Sequence, residues 1–162
     1  MKIRGITDYD IVNYKEPTLF IAFPYCNFKC DREYGSLICQ NSALAREPII
    51  DTTISRVIDI YLNNPLTKGI VCGGLEPFDS ANDLMELIEE FRKVSNDPVI
   101  IYTGYTEKEL TKEVLALQKY PNIIIKFGRF IPNRPHRFDD VLGIKLASDN
   151  QYALLISKDK RF

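Results

Sequence analysis

The sequence predicts an α/β domain built on a mostly parallel sheet, and three observations carry that prediction. Residues 18–23, 69–72, 98–102 and 122–127 are short apolar runs of strand length. Stretches with helical apolar spacing separate them, so strand and helix alternate along the chain. Each apolar run ends in a loop holding cysteine, glycine or small polar residues. Near-continuous apolar runs are what a parallel sheet covered by helices requires.

The elements follow in order. Residues 2–16 are mixed and weakly patterned, and Pro17 precedes the first strand, 18–23. From Pro24 to about Pro48 the chain reads as a long loop, the kind that is functional when ordered. Asp51-Thr52-Thr53 then offers N-cap oxygens to a helix with Ile54, Val57, Ile58 and Tyr61 on one face, ending near Asn63-Asn64-Pro65. The second strand, 69–72, runs into Gly73-Gly74-Leu75-Glu76-Pro77. A helix starting at Asp79 or Ser80 carries Leu84, Leu87, Ile88 and Phe91 on one face. The third strand, 98–102, ends in Thr103-Gly104-Tyr105. Thr106 and Glu109 form a capping box for a helix bearing Leu110, Val114, Leu115 and Leu117. The fourth strand meets Gly128. The tail reads as a covering segment with edge strands at 142–148 and 152–157, joined by a turn at Asp149-Asn150-Gln151.

With 162 residues the chain is expected to form one domain over 1–162. A formal net charge of −1 gives no global electrostatic case for nucleic acid or a membrane surface, so neither is expected as a partner. The start Met1-Lys2-Ile3-Arg4 has no apolar signal core, and no run is long enough to span a bilayer. A cytoplasmic location is the expectation. In that reducing compartment, clustered cysteines bind metal or do chemistry more often than they form disulfides.

Cys26, Cys30 and Cys39 lie in one loop after the first strand. Three thiolates leave one position of a tetrahedral centre open. Three readings of the trio stand at this point. It holds an iron–sulfur cluster, or a zinc ion with a further ligand elsewhere, or it is a set of ordinary buried thiols. His136, the sole histidine, lies far along the chain, which weakens a Cys3His zinc site. Cys72 sits inside an apolar strand and reads as core. Tyr25 and Phe28 flank the trio and are expected to shield it.

Gly73-Gly74 lets backbone approach a ligand, and Glu76 offers an acceptor to an ammonium group; the plainer reading is a tight strand-to-helix turn. Tyr102-Thr103-Gly104-Tyr105-Thr106 offers hydroxyls and a flat ring to a nucleoside, or is only a capped turn. Arg129, Arg134 and Arg137 form a local basic patch, read as a solvated loop. All these turns follow strand C-termini and are expected to meet on one sheet edge, the ligand-binding edge of α/β proteins.

Taken together, these pieces resemble the radical S-adenosylmethionine superfamily, and within it the activating enzymes of anaerobic (class III) ribonucleotide reductases. Cys26-x3-Cys30 fits the start of the signature, and Leu37-Ile38-Cys39 resembles its end. Cys39-Gln40-Asn41 resembles Cys-His-Asn, residues 102–106 match Tyr-Thr-Gly-Tyr-Thr, and Ser148-Asp149-Asn150-Gln151 resembles Ser-x-Asn-Gln. The similarity runs from Phe20 to about Ile156. Two departures stand out. Eight residues rather than two separate Cys30 from Cys39, and Leu75 splits Gly-Gly-Glu-Pro.

The resemblance implies a partial, open (β/α) barrel, since a full barrel typically needs ~250 residues. It implies a [4Fe-4S] cluster on Cys26, Cys30 and Cys39, with S-adenosyl-L-methionine as second cofactor. Gly73, Gly74 and Glu76 would support the amino-acid end of that molecule, and Thr103, Gly104 and Asn150 would border its nucleoside. Ile38 and Asn41, beside the last cysteine, belong to the same cofactor-binding set. The implied activity is reductive cleavage of S-adenosylmethionine to a 5′-deoxyadenosyl radical. The implied partners are the large, glycyl-radical subunit of anaerobic ribonucleotide reductase and a one-electron donor such as flavodoxin or ferredoxin. A radical enzyme acting on a small molecule, such as a 7-carboxy-7-deazaguanine synthase, is the second reading. A non-enzymatic zinc or iron–sulfur binding module is the third.

Overall fold

Apolar, largely β-branched runs form the centre of one six-stranded sheet in a computed structural model that describes residues 1–156. The strands are β1 (Lys2–Ile3), β2 (Gly5–Asp10), β3 (Thr18–Phe23), β4 (Ile50–Asp51), β5 (Ile70–Gly74), β6 (Val99–Tyr102), β7 (Ile123–Phe127), β8 (Arg137–Asp139), β9 (Ile144–Leu146) and β10 (Tyr152–Ile156). The helices are α1 (Lys29–Tyr34), α2 (Ile54–Leu62), α3 (Ala81–Arg92) and α4 (Thr111–Leu117). The sheet order is β10-β7-β6-β5-β3-β2. The four inner strands are parallel, and β2 and β10 flank them antiparallel. The fold is therefore mixed α/β with a mostly parallel sheet. Among the described residues the sheet stays open and forms no closed barrel.

From β3 through β5 and β6 to β7 the strand order never reverses. Crossovers of one hand then put every connecting helix on the same face. Accordingly, Leu19, Ile21, Ile70, Cys72, Val99, Ile101, Ile123 and Ile125 pack with the apolar stripes of α2 and α3 and with Leu117 of α4 in one core. All four stripe residues expected on α2 and all four on α3 are buried. Tyr61 meets Phe91 edge-on at 4.9 Å, a favourable aromatic geometry, and its hydroxyl donates to Asp97 at 2.6 Å.

The opposite face carries no helix. Val71, Ile100 and Ile124 point there, covered by Tyr14, Leu142 and Leu146 in a second, smaller core. The covering segment is pinned by buried Asp139, which accepts from Leu142 N–H at 2.9 Å and from Ala153 N–H at 2.9 Å. No helix among the described residues is long and apolar enough to cross a membrane.

Several local expectations need correction. Residues 2–16, read as weakly patterned, contain β1 and the edge strand β2, whose exposed face hides the strand period. The long cysteine loop contains α1 and a 3-10 turn, Ser42–Arg46. Only β10 of the tail joins the main sheet; β9 pairs with β8, so residues 149–151 link two sheets and not a hairpin. Ser157, expected at the end of that strand, lies outside the described residues. Thr53 caps α2 as expected, accepting from Arg56 N–H at 3.0 Å. Ser80 caps nothing with its side chain; instead Glu76 caps the 3-10 turn Pro77–Ser80 that precedes α3. Glu109 accepts from Thr106 N–H at 2.8 Å, yet α4 begins only at Thr111, and Leu115, off the face that Leu110 and Leu117 bury, is 61% exposed.

Candidate iron–sulfur site

The site grows from the end of β3. Pro24 ends the strand, and Cys26 follows on extended chain with its sulfur accepting from Phe28 N–H at 3.2 Å. Phe28 takes a left-handed φ of 53° and turns the backbone into α1, whose first turn carries Cys30. Gly35, with φ 82°, ends that helix, a residue suited to left-handed backbone. The side chain of Asp31 then accepts from Ile38 N–H and Cys39 N–H, both at 2.8 Å. The enlarged spacing between Cys30 and Cys39 is thus an ordered helical turn folded back on itself, with Asp31 as its clasp. Beyond Cys39, Leu44 rests on Gly74. A Cβ at Gly74 would lie 2.9 Å from that leucine and 2.8 Å from Ala22 Cα, and its φ is +78°, so the position demands glycine.

The two other turns close around this loop. Glu76 is 7% exposed and accepts from Phe78 N–H at 3.1 Å, Thr103 O–H at 2.8 Å and Gly104 N–H at 3.0 Å. Burial pushes its carboxyl up to about 7, against those three donors. Asp79 accepts from Tyr105 O–H at 2.6 Å and from Asn27 N–H at 3.0 Å, joining the Thr-Gly-Tyr turn to the cysteine loop. A Cβ placed on Gly104 would sit 3.5 Å from the Cys30 sulfur, which measures how closely that turn approaches the thiols.

Cys26, Cys30 and Cys39 are all half-buried and line one cavity of about 430 Å³. Asn41, Gly73, Gly74, Glu76, Thr103 and Gly104 line it too. Burial raises all three thiols, Cys26 to about 12 with Glu76, Asp79 and Cys30 adding to the effect. Cys39 adds to the rise at Cys30 and Arg129 opposes it. Metal uptake at such thiols releases protons. Among the described residues no three His, Cys, Asp or Glu side chains converge as ligands of one ion. Cys72 is fully buried on the helix-covered face, and His136 faces the Leu146 carbonyl at 3.2 Å.

Two expected residues lie elsewhere. Ile38 meets Asp31 through its backbone and does not line the cavity. Asn150 lines a neighbouring cavity of about 440 Å³ with Cys30, Arg129 and Tyr152, while Gln151 lines the first. Asn150 donates to the Arg129 carbonyl at 2.7 Å, and its own carbonyl oxygen is buried without a partner. The arginine patch is not a free basic surface. Arg129 pairs with Glu33 and Glu109, Arg134 with Asp149, and Arg137 donates to the Gln151 carbonyl. Tyr25, expected as a shield, is 43% exposed.

The sequence reading missed several contributors, among them Lys145 and Leu146 of the covering segment. Val12 and Asn13 reach the cavity from the loop that follows β2. Lys126 does so from β7, with its ammonium donating to the Gly128 carbonyl at 3.2 Å. Burial pulls Lys126 down to about 8, opposed by Glu76 and Cys30. Its signal was visible as a lone charge in the otherwise apolar run Ile123-Ile124-Ile125-Lys126-Phe127.

Residues 17–151 match a family model described as a 4Fe-4S single cluster domain. No curated protein and no solved structure matches the chain. The matched span includes all three cavity-lining cysteines, both glycine-bearing turns and Lys126. An iron–sulfur cofactor is the chemistry that this match supports, and the chain belongs to the 4Fe-4S single cluster domain family.

Proposed function

We propose that Cys26, Cys30 and Cys39 hold a [4Fe-4S] cluster with one iron left open, and that the protein cleaves S-adenosylmethionine reductively. The observation that carries this reading is the shared cavity. Three thiols, the Gly73-Gly74 turn and the Thr103-Gly104 turn border one space of about 430 Å³. That volume falls within the ~300–1,000 Å³ of small-molecule sites. The donor set fits a cluster: three soft thiols, those of Cys26, Cys30 and Cys39, line the same cavity.

When bound, the reduced cluster would supply the electron that splits the sulfonium into methionine and a 5′-deoxyadenosyl radical. The protein's part is binding and exclusion of water. Gly73 presents bare backbone; a Cβ there would lie 3.0 Å from the Phe20 ring. Glu76 holds the two turns at a fixed separation. The covering segment, through Ile144 and Leu146, roofs the cavity on the helix-free face. The sheet is open among the described residues, and the partial barrel that the resemblance implies would leave a side through which a substrate can enter.

The target is proposed from the resemblance: a glycine of the large subunit of anaerobic ribonucleotide reductase, with flavodoxin or ferredoxin as electron donor. Oxygen-free reconstitution is expected to give a brown protein with roughly four irons per chain. On reduction it is expected to release 5′-deoxyadenosine from S-adenosylmethionine and, with the reductase subunit present, to give a glycine-centred radical signal. Cleavage without that signal would redirect the reading to a small-molecule substrate. A colourless, zinc-loaded protein would replace it with a binding module.

A further inference from the structure

The enlarged spacing between Cys30 and Cys39 places two extra side chains beside the thiols. Cys30 lines both cavities, and of the three clustered cysteines it alone borders the second, of about 440 Å³. Glu33 and Tyr34 of α1 line that second cavity together with Arg129. Helix α1 is too short to be stable by itself and buries none of its residues, so apolar packing does not hold it in place. Asp31 clasps its far side. On the near side Glu33 reaches the Arg129 guanidinium, an ion pair at 3.1 Å without a hydrogen bond. Arg129 pairs with Glu109 at 2.7 Å, Glu109 pairs with Lys29, and Lys29 stands 3.8 Å from Glu33. These four side chains close a ring of alternating charge. It joins α1 to the chain after β7 and to the turn before α4. The Tyr105 ring lies among them, 6.0 Å from the Lys29 ammonium and 5.9 Å from the Arg129 guanidinium. A Cβ on Gly104 would lie 3.5 Å from the Cys30 sulfur and 3.6 Å from Arg129 Cγ, so ring and thiol stand against the same glycine. A lone exposed ion pair contributes little, but a closed network around a guanidinium side chain only 12% exposed is a different case.

We propose that Glu33 is a positioning residue that latches α1 across the second cavity, so that the extra turn shields Cys30, and the iron it would hold, from solutes. The inference rests on the iron–sulfur reading of the site and stands apart from S-adenosylmethionine cleavage. With the latch closed, Glu33 and Tyr34 wall the cavity that ends at Cys30. Local opening of so small a unit needs little free energy, and the population of the open form sets how fast a solute reaches the metal.

The test is the rate at which the uncharged chelator bipyridine extracts iron from reconstituted, reduced, oxygen-free protein, over a series of salt concentrations. Iron and sulfide content is measured first on every variant. Glu33→Gln is expected to speed extraction about two- to fivefold at low salt, the worth of a partly exposed ion pair. Added salt screens that pair and is expected to bring wild type toward the variant's rate. Tyr34→Ala thins the same wall and leaves the charges in place. It is expected to speed extraction and to keep the wild-type response to salt. Equal rates for wild type and Glu33→Gln overturn the proposal, as does a Glu33→Gln effect that persists at high salt. Faster extraction in Glu33→Gln with Tyr34→Ala at the wild-type rate also overturns it, because the pair then acts through charge at Cys30 and not through shielding. In each of these cases the cluster reading stands. Wild-type protein that takes up no cluster overturns both. Should Tyr34→Ala take up no iron, the salt series on Glu33→Gln decides.

Discussion

Gly104 donates its backbone N–H to the buried carboxylate of Glu76 at 3.0 Å, across two turns that are 28 residues apart in sequence. The same carboxylate takes the Thr103 hydroxyl, so Glu76 ties the glycine-rich turn after β5 to the Thr-Gly-Tyr turn after β6. Glu76→Ala strands three donors in a buried setting. It is expected to cost about 1–3 kcal/mol of stability and to abolish S-adenosylmethionine binding. Thermal unfolding of the metal-free protein and ligand titration check the two effects separately.

Asp31 clasps the cysteine loop. Asp31→Ala removes the acceptor for Ile38 and Cys39 N–H and is expected to lower iron retention on desalting, with folding of the sheet unaffected. Asp31→Asn keeps an acceptor oxygen and is expected to retain most of the iron. Equal iron in all three proteins would remove Asp31 from the account.

Each of Cys26→Ala, Cys30→Ala and Cys39→Ala is expected to lose the cluster absorbance. Cys72→Ala leaves a small void between β5 and the helices, costs on the order of 1 kcal/mol, and keeps the iron. Iron loss in Cys72→Ala would show the ligand assignment to be wrong.

Gly74→Ala combines a positive φ with a Cβ driven against Ala22 and Leu44. A loss of stability of at least ~1–3 kcal/mol is expected, read from thermal unfolding. The unfolding temperature of Gly5→Ala, where a Cβ meets open space, is the control.

Glu109 supplies a pH dependence. The Arg129 guanidinium, then Lys29 and the Thr106 N–H and hydroxyl, hold its carboxyl well below the ordinary 4.5. A carboxyl whose folded value is depressed stabilises above its unfolded value and loses that contribution as pH falls through it. Unfolding temperatures of the metal-free protein are therefore expected to drop below about pH 4.5. Glu109→Gln is expected to flatten part of that drop. A wild-type and variant profile of equal slope would contradict it.

Much of this arrangement was legible in the chain itself. The apolar stripes Ile54-Val57-Ile58-Tyr61 and Leu84-Leu87-Ile88-Phe91 are unambiguous because a helix with one buried face has a fixed period. The four inner strands were legible because burial on both faces leaves few polar residues in them. The turns were legible because only certain residues serve there. What failed has a common cause. The strand β2 is exposed along one edge, so its pattern is diluted, and Val12 and Asn13 in the loop after it carry no periodic signal of their own. The fold of residues 31–36 depends on one side chain, Asp31, reaching two backbone groups seven and eight residues away, and no local pattern encodes such a reach. Asn150 and Gln151 alternate between two cavities, a distinction set by how β10 docks on β7 and not by the sequence Ser-Asp-Asn-Gln. Lys126 stands out as a lone charge in the run 123–127, but the four apolar residues around it read as a core strand, and nothing local says that its side chain reaches the cavity.

The most direct measurement is the electron resonance spectrum of the reduced, reconstituted protein, recorded before and after addition of S-adenosylmethionine. If one iron is open to the cavity, the spectrum shifts when the ligand is added, and no shift occurs with methionine-free adenosine. A cluster spectrum indifferent to S-adenosylmethionine would contradict the account and leave an iron–sulfur protein without the proposed chemistry.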